Sequence, residues 1–126
     1  MAGAADYQLR EYLLSAYTSS VGGTPVAAYV PVPYDGVIYA SHVTPSGTIT
    51  AADSTTTVAV LPQGVAASAV NVGTTLVIPS SGAAAGTRHT TIHTGARNVR
   101  RGDVIRLTPA GASTVVPGTY VVEIRR

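Results

Sequence analysis

Cysteine, lysine, phenylalanine and tryptophan are all missing from this 126-residue sequence. Without cysteine there is neither a disulfide framework nor a thiolate zinc site, so folding cannot depend on oxidation. Without phenylalanine or tryptophan, the interior has to be built from Val, Ile, Leu and a few Tyr. Without lysine, all eight basic residues are Arg. Charge itself is scarce: Asp, Glu, Lys and Arg make up 11% of the chain, against about 25% in ordinary soluble domains. So few charges leave two readings of the surface. Either much of it faces other protein, or it is a Thr/Ser/Gly surface that is polar without charge. The formal net charge of +2 is too small for a nucleic-acid footprint, and no aromatic residues are interleaved with the arginines to stack on bases. No apolar run approaches the roughly 18 residues of a membrane span. The first residues lack a basic region leading into an apolar stretch, so no secretory signal is expected.

What is present reads as strands cut by turns. The stretch organising the rest is Asn98-Val99-Arg100-Arg101-Gly102-Asp103-Val104-Ile105-Arg106-Leu107. Gly102-Asp103 is a turn pair, and β-branched residues follow it at once. Residues 120–125 (Tyr-Val-Val-Glu-Ile-Arg) offer a partner, which predicts a last or edge hairpin. In these strands Ile105, Leu107, Tyr120, Val122 and Ile124 alternate onto a core face. Further strands are expected over residues 37–43, 55–61, 74–78 and 87–94, with a short one over 48–51. Residues 25–33 carry three prolines, so they fit an edge strand at best. Residues 65–72 read as strand or loop. Seven to nine short strands with turn signals every eight to twelve residues predict a single all-β sandwich, jelly-roll-like or immunoglobulin-like.

The beginning differs. Asp6 can cap a short helix over residues 7–17, in which Leu9, Tyr12, Leu13 and Ala16 form one apolar stripe. Three of the seven tyrosines, Tyr7, Tyr12 and Tyr17, fall there. Residues 1–24 are therefore expected to be an N-terminal arm with a flexible linker, and 25–126 the β-sandwich domain.

The search for chemistry yields little. His89 and His93 are four apart, but on a strand that spacing is about 13 Å, too far for one metal ion; solvated or interface histidines are the expectation. Asp35, Asp53, Asp103 and Glu123 are scattered, and no Gly-x-Ser-x-Gly elbow occurs. No catalytic residue, cofactor or metal is expected. Arg101-Gly102-Asp103 spells an adhesion tripeptide that turn formation alone explains. Seven of the eight arginines lie in the last third. Arg suits bidentate contacts with carboxylates, so Arg97, Arg100 and Arg101 are candidates for meeting an acidic partner, beside Tyr7, Leu9, Tyr12, Leu13 and Tyr17 of the arm.

The landmarks Asp35-Gly36-Val37-Ile38, Gly64, Leu76-Val77-Ile78-Pro79-Ser80-Ser81-Gly82 running to Gly86, Val99 to Gly102-Asp103-Val104-Ile105, Gly111 to Ser113 and the closing strand over 120–124 resemble, in order, the small β-sandwich decoration, cement or head-fibre proteins of tailed bacteriophages. The resemblance spans about residues 30–126 and leaves the first 20 uncovered. It implies a structural virion component on the capsid surface, often a homotrimer, partnered by the major capsid protein or another virion protein, with no enzymatic activity, nucleic acid or membrane. The alternatives are a glycan-binding or fibre-tip module using Tyr29, Tyr34, Tyr39 and Tyr120, and a tail or neck component.

Overall fold

The computed structural model describes residues 11–50, 52–80, 84–111 and 114–126, with Gly95 and Ala96 as backbone only. Among the described residues eight strands are formed: β1 (Glu11–Thr18), β2 (Ala28–Pro31), β3 (Gly36–Pro45), β4 (Ser54–Leu61), β5 (Val70–Ile78), β6 (His89–Val99), β7 (Val104–Ala110) and β8 (Gly118–Arg125). They make two antiparallel four-stranded sheets, ordered β1-β8-β3-β6 and β2-β7-β4-β5. Of the consecutive pairs only β4 and β5 are hydrogen-bonded neighbours. Every other connection crosses between sheets or, as from β5 to β6, passes around their shared edge. This order is that of a jelly roll, which resolves the two sandwich topologies left open by periodicity.

Alternation fills the interior. Ile38, Val43, Tyr120, Val122 and Ile124 from the first sheet meet Val58, Val60, Leu76, Ile78, Ile105 and Leu107 from the second, all at most 1% exposed. Each contributes about 1.5–3 kcal/mol by burial. Among the described residues Tyr120 is the one aromatic fully inside, and its hydroxyl meets Thr56 Oγ1 across the core at 2.7 Å. Burial pushes that phenol up to about 12.

Several expectations need correction. The described part of the anticipated N-terminal helix is a strand: Glu11 to Thr18 pair with Arg125 to Gly118 of β8. Tyr12, Leu14 and Ala16 pack inward while Leu13 and Tyr17 face out, so the helical stripe does not exist. A chain that can complete eight ladder pairs beside β8 gains more than an isolated two- to three-turn helix, which is marginal in water. Residues 19–24 consequently link strands of opposite sheets and do not separate an arm from a domain. Their turns are pinned by Val21 N–H to the Val116 carbonyl (2.7 Å) and Gly23 N–H to that of Thr114 (2.6 Å).

β7 and β8 are not a hairpin either. They lie in opposite sheets, each an interior strand, and face one another through the core. Residues 48–50 form no strand, and 66–68 form a short 3-10 turn ahead of β5. Strand β2 is an edge, as its prolines required. Pro109 sits within β7 but past Leu107, where β2 no longer runs alongside, so proline is tolerated.

Candidate functional site

Three places in this frame gather polar or exposed apolar groups. The first is the outer face of the β1-β8-β3-β6 sheet. Because β1 alternates, Leu13 and Tyr17 stand outward, each 66% exposed. Beside them lies a groove of about 700 Å³ lined by His42, Val121 and Glu123 among others. His42 Nε2 is 3.5 Å from the Glu123 carboxylate, and its Nδ1 meets Thr90 Oγ1 at 2.8 Å. Arg125 pairs with Glu11 at 3.0 Å and Glu123 at 3.6 Å. It also covers the Tyr39 ring, with Cζ 3.2 Å from the centroid. Tyr39 reaches that place through a bulge: pairing with β8 slips between Ile38 and Ala40, so two residues of β3 oppose one of β8.

The second place is the end of the sandwich formed by the β2–β3 and β6–β7 connections. Asp103 N–H donates to the Arg100 carbonyl at 3.0 Å, closing a turn with Gly102 at φ +97° in its third position. That conformation asks for glycine, and a Cβ there would lie 3.0 Å from Gln63 Oε1. The Asp103 carboxylate accepts from Arg100 N–H (3.0 Å), Gln63 N–H (3.1 Å) and Gln63 Nε2 (3.4 Å). It thereby holds Gln63 at φ +52°. Asp103 is 7% exposed, so the adhesion tripeptide presents no free carboxylate and its turn role accounts for it.

Here the two groups of predicted partner-binding residues meet. Tyr12 donates its hydroxyl to the Tyr34 carbonyl and packs edge-on against the Tyr34 ring, with centroids 5.8 Å apart. Burial raises the Tyr12 phenol above its ordinary value. Arg126 lies over the same Tyr34 ring at 5.8 Å, and Asp35 Oδ1 accepts from Arg101 N–H at 2.9 Å. Arg97, Arg100 and Arg101 have no carboxylate within ion-pair distance among the described residues. Tyr12 is thus committed to the β2–β3 turn, while Leu13 and Tyr17 are open to a partner. Tyr7 and Leu9 lie outside the described residues. Tyr34 and Asp35 were missed as members of this end. Their adjacency to Gly36 marked only a turn, and nothing in the sequence ties that turn to residues 100–103.

The third place is His93. It is not solvated: it is 2% exposed, with Nε2 2.7 Å from Ser41 Oγ and Nδ1 2.6 Å from Thr74 Oγ1. Ser41 and His93 belong to one sheet and Thr74 to the other, so the ring joins the edge strands β5 and β6. Thr91 Oγ1 adds a bond to the Thr75 carbonyl at 3.0 Å. A serine against an imidazole is a nucleophile–base pair by type, but Ser41 has no exposed surface and nothing can reach it. Burial holds the His93 imidazole below its usual range. Among the described residues no group of three or more His, Asp or Glu could hold a metal ion. The tyrosines proposed for sugar stacking are not assembled. Tyr120 is in the core, Tyr39 is covered by Arg125, and Tyr29 and Tyr34 are carried by different parts of the molecule.

No protein-family model and no curated protein matches this sequence at a significant level. Solved structures do resemble its fold. The crystal structure of murine APRIL at pH 5.0 superposes with a TM-score of 0.52 at 14% identity, covering 91% of this chain and all of that one. Eiger TNF from S. frugiperda gives a TM-score of 0.49 at 9% identity, over 93% of each chain. At such identity the likeness to APRIL is one of fold: this chain is a small all-β sandwich of the jelly-roll kind.

Proposed function

We propose that this chain is a structural virion protein that binds the outside of a phage capsid and reinforces it, acting as a homotrimer. The observation that carries the reading is the outer face of β1: Leu13 and Tyr17, each 66% exposed, on a sheet of a chain with only 11% charged residues. Leu13 and Tyr17 stand on the same outer face of β1 with Ser15 between them, and exposed large apolar side chains on a rigid sheet favour burial against protein. An edge strand next to a groove of about 700 Å³ gives each copy a projecting and a receiving part. Head-to-tail contacts of that kind close into rings. Three linked copies multiply a modest contact with the shell through avidity. Arg97, Arg100 and Arg101, at the end where Tyr12 meets Tyr34, supply contacts to carboxylates of the capsid.

The test combines native mass with co-sedimentation on heads lacking the protein. Trimeric mass and saturable binding to heads are expected, both lost in Leu13→Glu/Tyr17→Glu. A folded monomer that ignores heads overturns the reading, and binding to purified tails instead moves it to a tail or neck role. Deleting the first 20 residues, the natural test of a docking arm, is uninformative because it removes β1.

A further inference from the structure

We propose that the cleft between the β6–β7 turn and the 62–64 turn binds carboxylates of an extended acidic peptide segment, with Arg97 at its floor and Arg100 at its rim. The cleft measures about 460 Å³. Arg97 lines it, and its Nε is buried with no hydrogen-bond partner. Arg97 has no carboxylate within ion-pair distance among the described residues, so a carboxylate arriving in the cleft meets a guanidinium that is not neutralised. The one carboxylate lining the cleft, Asp103, cannot serve, because three N–H donors of Arg100 and Gln63 already occupy it.

The shape selects the ligand. A second cleft of about 280 Å³ adjoins the first and shares Asn98 and Arg100 with it. Arg126 lines this second basin beside Arg125, which is already paired with Glu11 and Glu123, and Asp35, whose Oδ1 already accepts from Arg101 N–H. Donors therefore run along a track on both sides of Arg100, which fits an extended chain bearing several carboxylates better than one compact ion. Guanidinium groups offer paired N–H donors in the plane a carboxylate needs. Two other features carry less: Arg106 also has a buried unpartnered Nε but lines neither cleft, and His93 is sealed. The inference deepens the partner-binding reading above and rests on it only for the source of the carboxylates.

The experiment is fluorescence anisotropy of the full chain with a labelled ten-residue poly-Glu peptide, a poly-Gln peptide, and inorganic phosphate as competitor. Poly-Glu binds, poly-Gln does not, and phosphate at equal concentration fails to displace the peptide. Binding weakens about tenfold in Arg97→Gln and about fivefold in Arg100→Gln, while Arg106→Gln on the other sheet stays within about twofold, the scale of one lost charge-assisted contact. Arg100 is exposed, so its variant keeps the test alive if Arg97→Gln unfolds. No binding of poly-Glu, equal loss in Arg106→Gln, or displacement by equimolar phosphate overturns the carboxylate track. Heads that still bind a chain unable to bind poly-Glu sink the track alone. Poly-Glu binding without head binding sinks the capsid reading alone.

Discussion

Asp103 and His93 show how single side chains hold this fold at points remote in sequence. Asp103 answers two N–H groups of Gln63, 40 residues away, and one of Arg100. Asp103→Ala strands those donors and releases Gln63 from its positive φ, so about 2–3 kcal/mol of stability is expected to go. The midpoint of urea unfolding measures it, and a shift too small to resolve sinks the clamp. Sequence marked Asp103 as a turn residue because Gly102 precedes it. It could not mark Gln63, since pairing of two turns is set by how the sheets stack. His93 gives a pH signature. Burial depresses its folded pKa below the unfolded value near 6.5. The unfolded chain therefore takes up the proton first as pH falls. The stabilising contribution is complete above about 6.5 and is lost as pH drops from there through the depressed folded value. Melting temperature should fall from pH 8 to pH 5 more steeply in the native chain than in His93→Gln, which cannot titrate there. Parallel curves for the two would show that His93 is not the sensor.

At the level of elements, β1 decides whether the first sheet has a covered interior. It is the neighbour of β8, whose Tyr120, Val122 and Ile124 are fully buried. Removing residues 1–18 would leave β8 as an exposed edge and strip the packing of Tyr12, Leu14 and Ala16 from the core. The truncated chain is expected to aggregate or lose its strand signal in circular dichroism. A soluble, cooperatively melting truncation would restore the dispensable arm. Most of the other strands were legible from strand-type residues bounded by turn signals, most plainly β8, where buried residues alternate with exposed or half-buried ones. β1 was not legible for a physical reason. Its outer face carries Leu13 and Tyr17, so period two is blurred and the same residues satisfy a helical period. The arginine end was half legible, since Arg97, Arg100 and Arg101 are neighbours in sequence while Tyr34 and Asp35 join them only through the crossing connections.

For the whole molecule, the strand order makes the two sheets interdependent. With β7 and β8 on opposite sides of the core and only β4–β5 paired locally, most of the structure has to assemble together, and little of it survives alone. The same order leaves β1 at a rim with its outer side chains wet. If three copies hide that surface, folding and association are linked, and stability depends on protein concentration. Melting temperature should then rise as the native chain is concentrated from micromolar to hundreds of micromolar. In Leu13→Glu/Tyr17→Glu it should be lower and indifferent to concentration, because charges placed on that face cannot be buried against a neighbour without large cost. Differential scanning calorimetry over a concentration series measures both. A native chain whose transition stays fixed across the series, and coincides with that of the double variant, would show that the outer face of β1 is ordinary surface. The low charge content would then reflect only a Thr- and Ser-rich exterior.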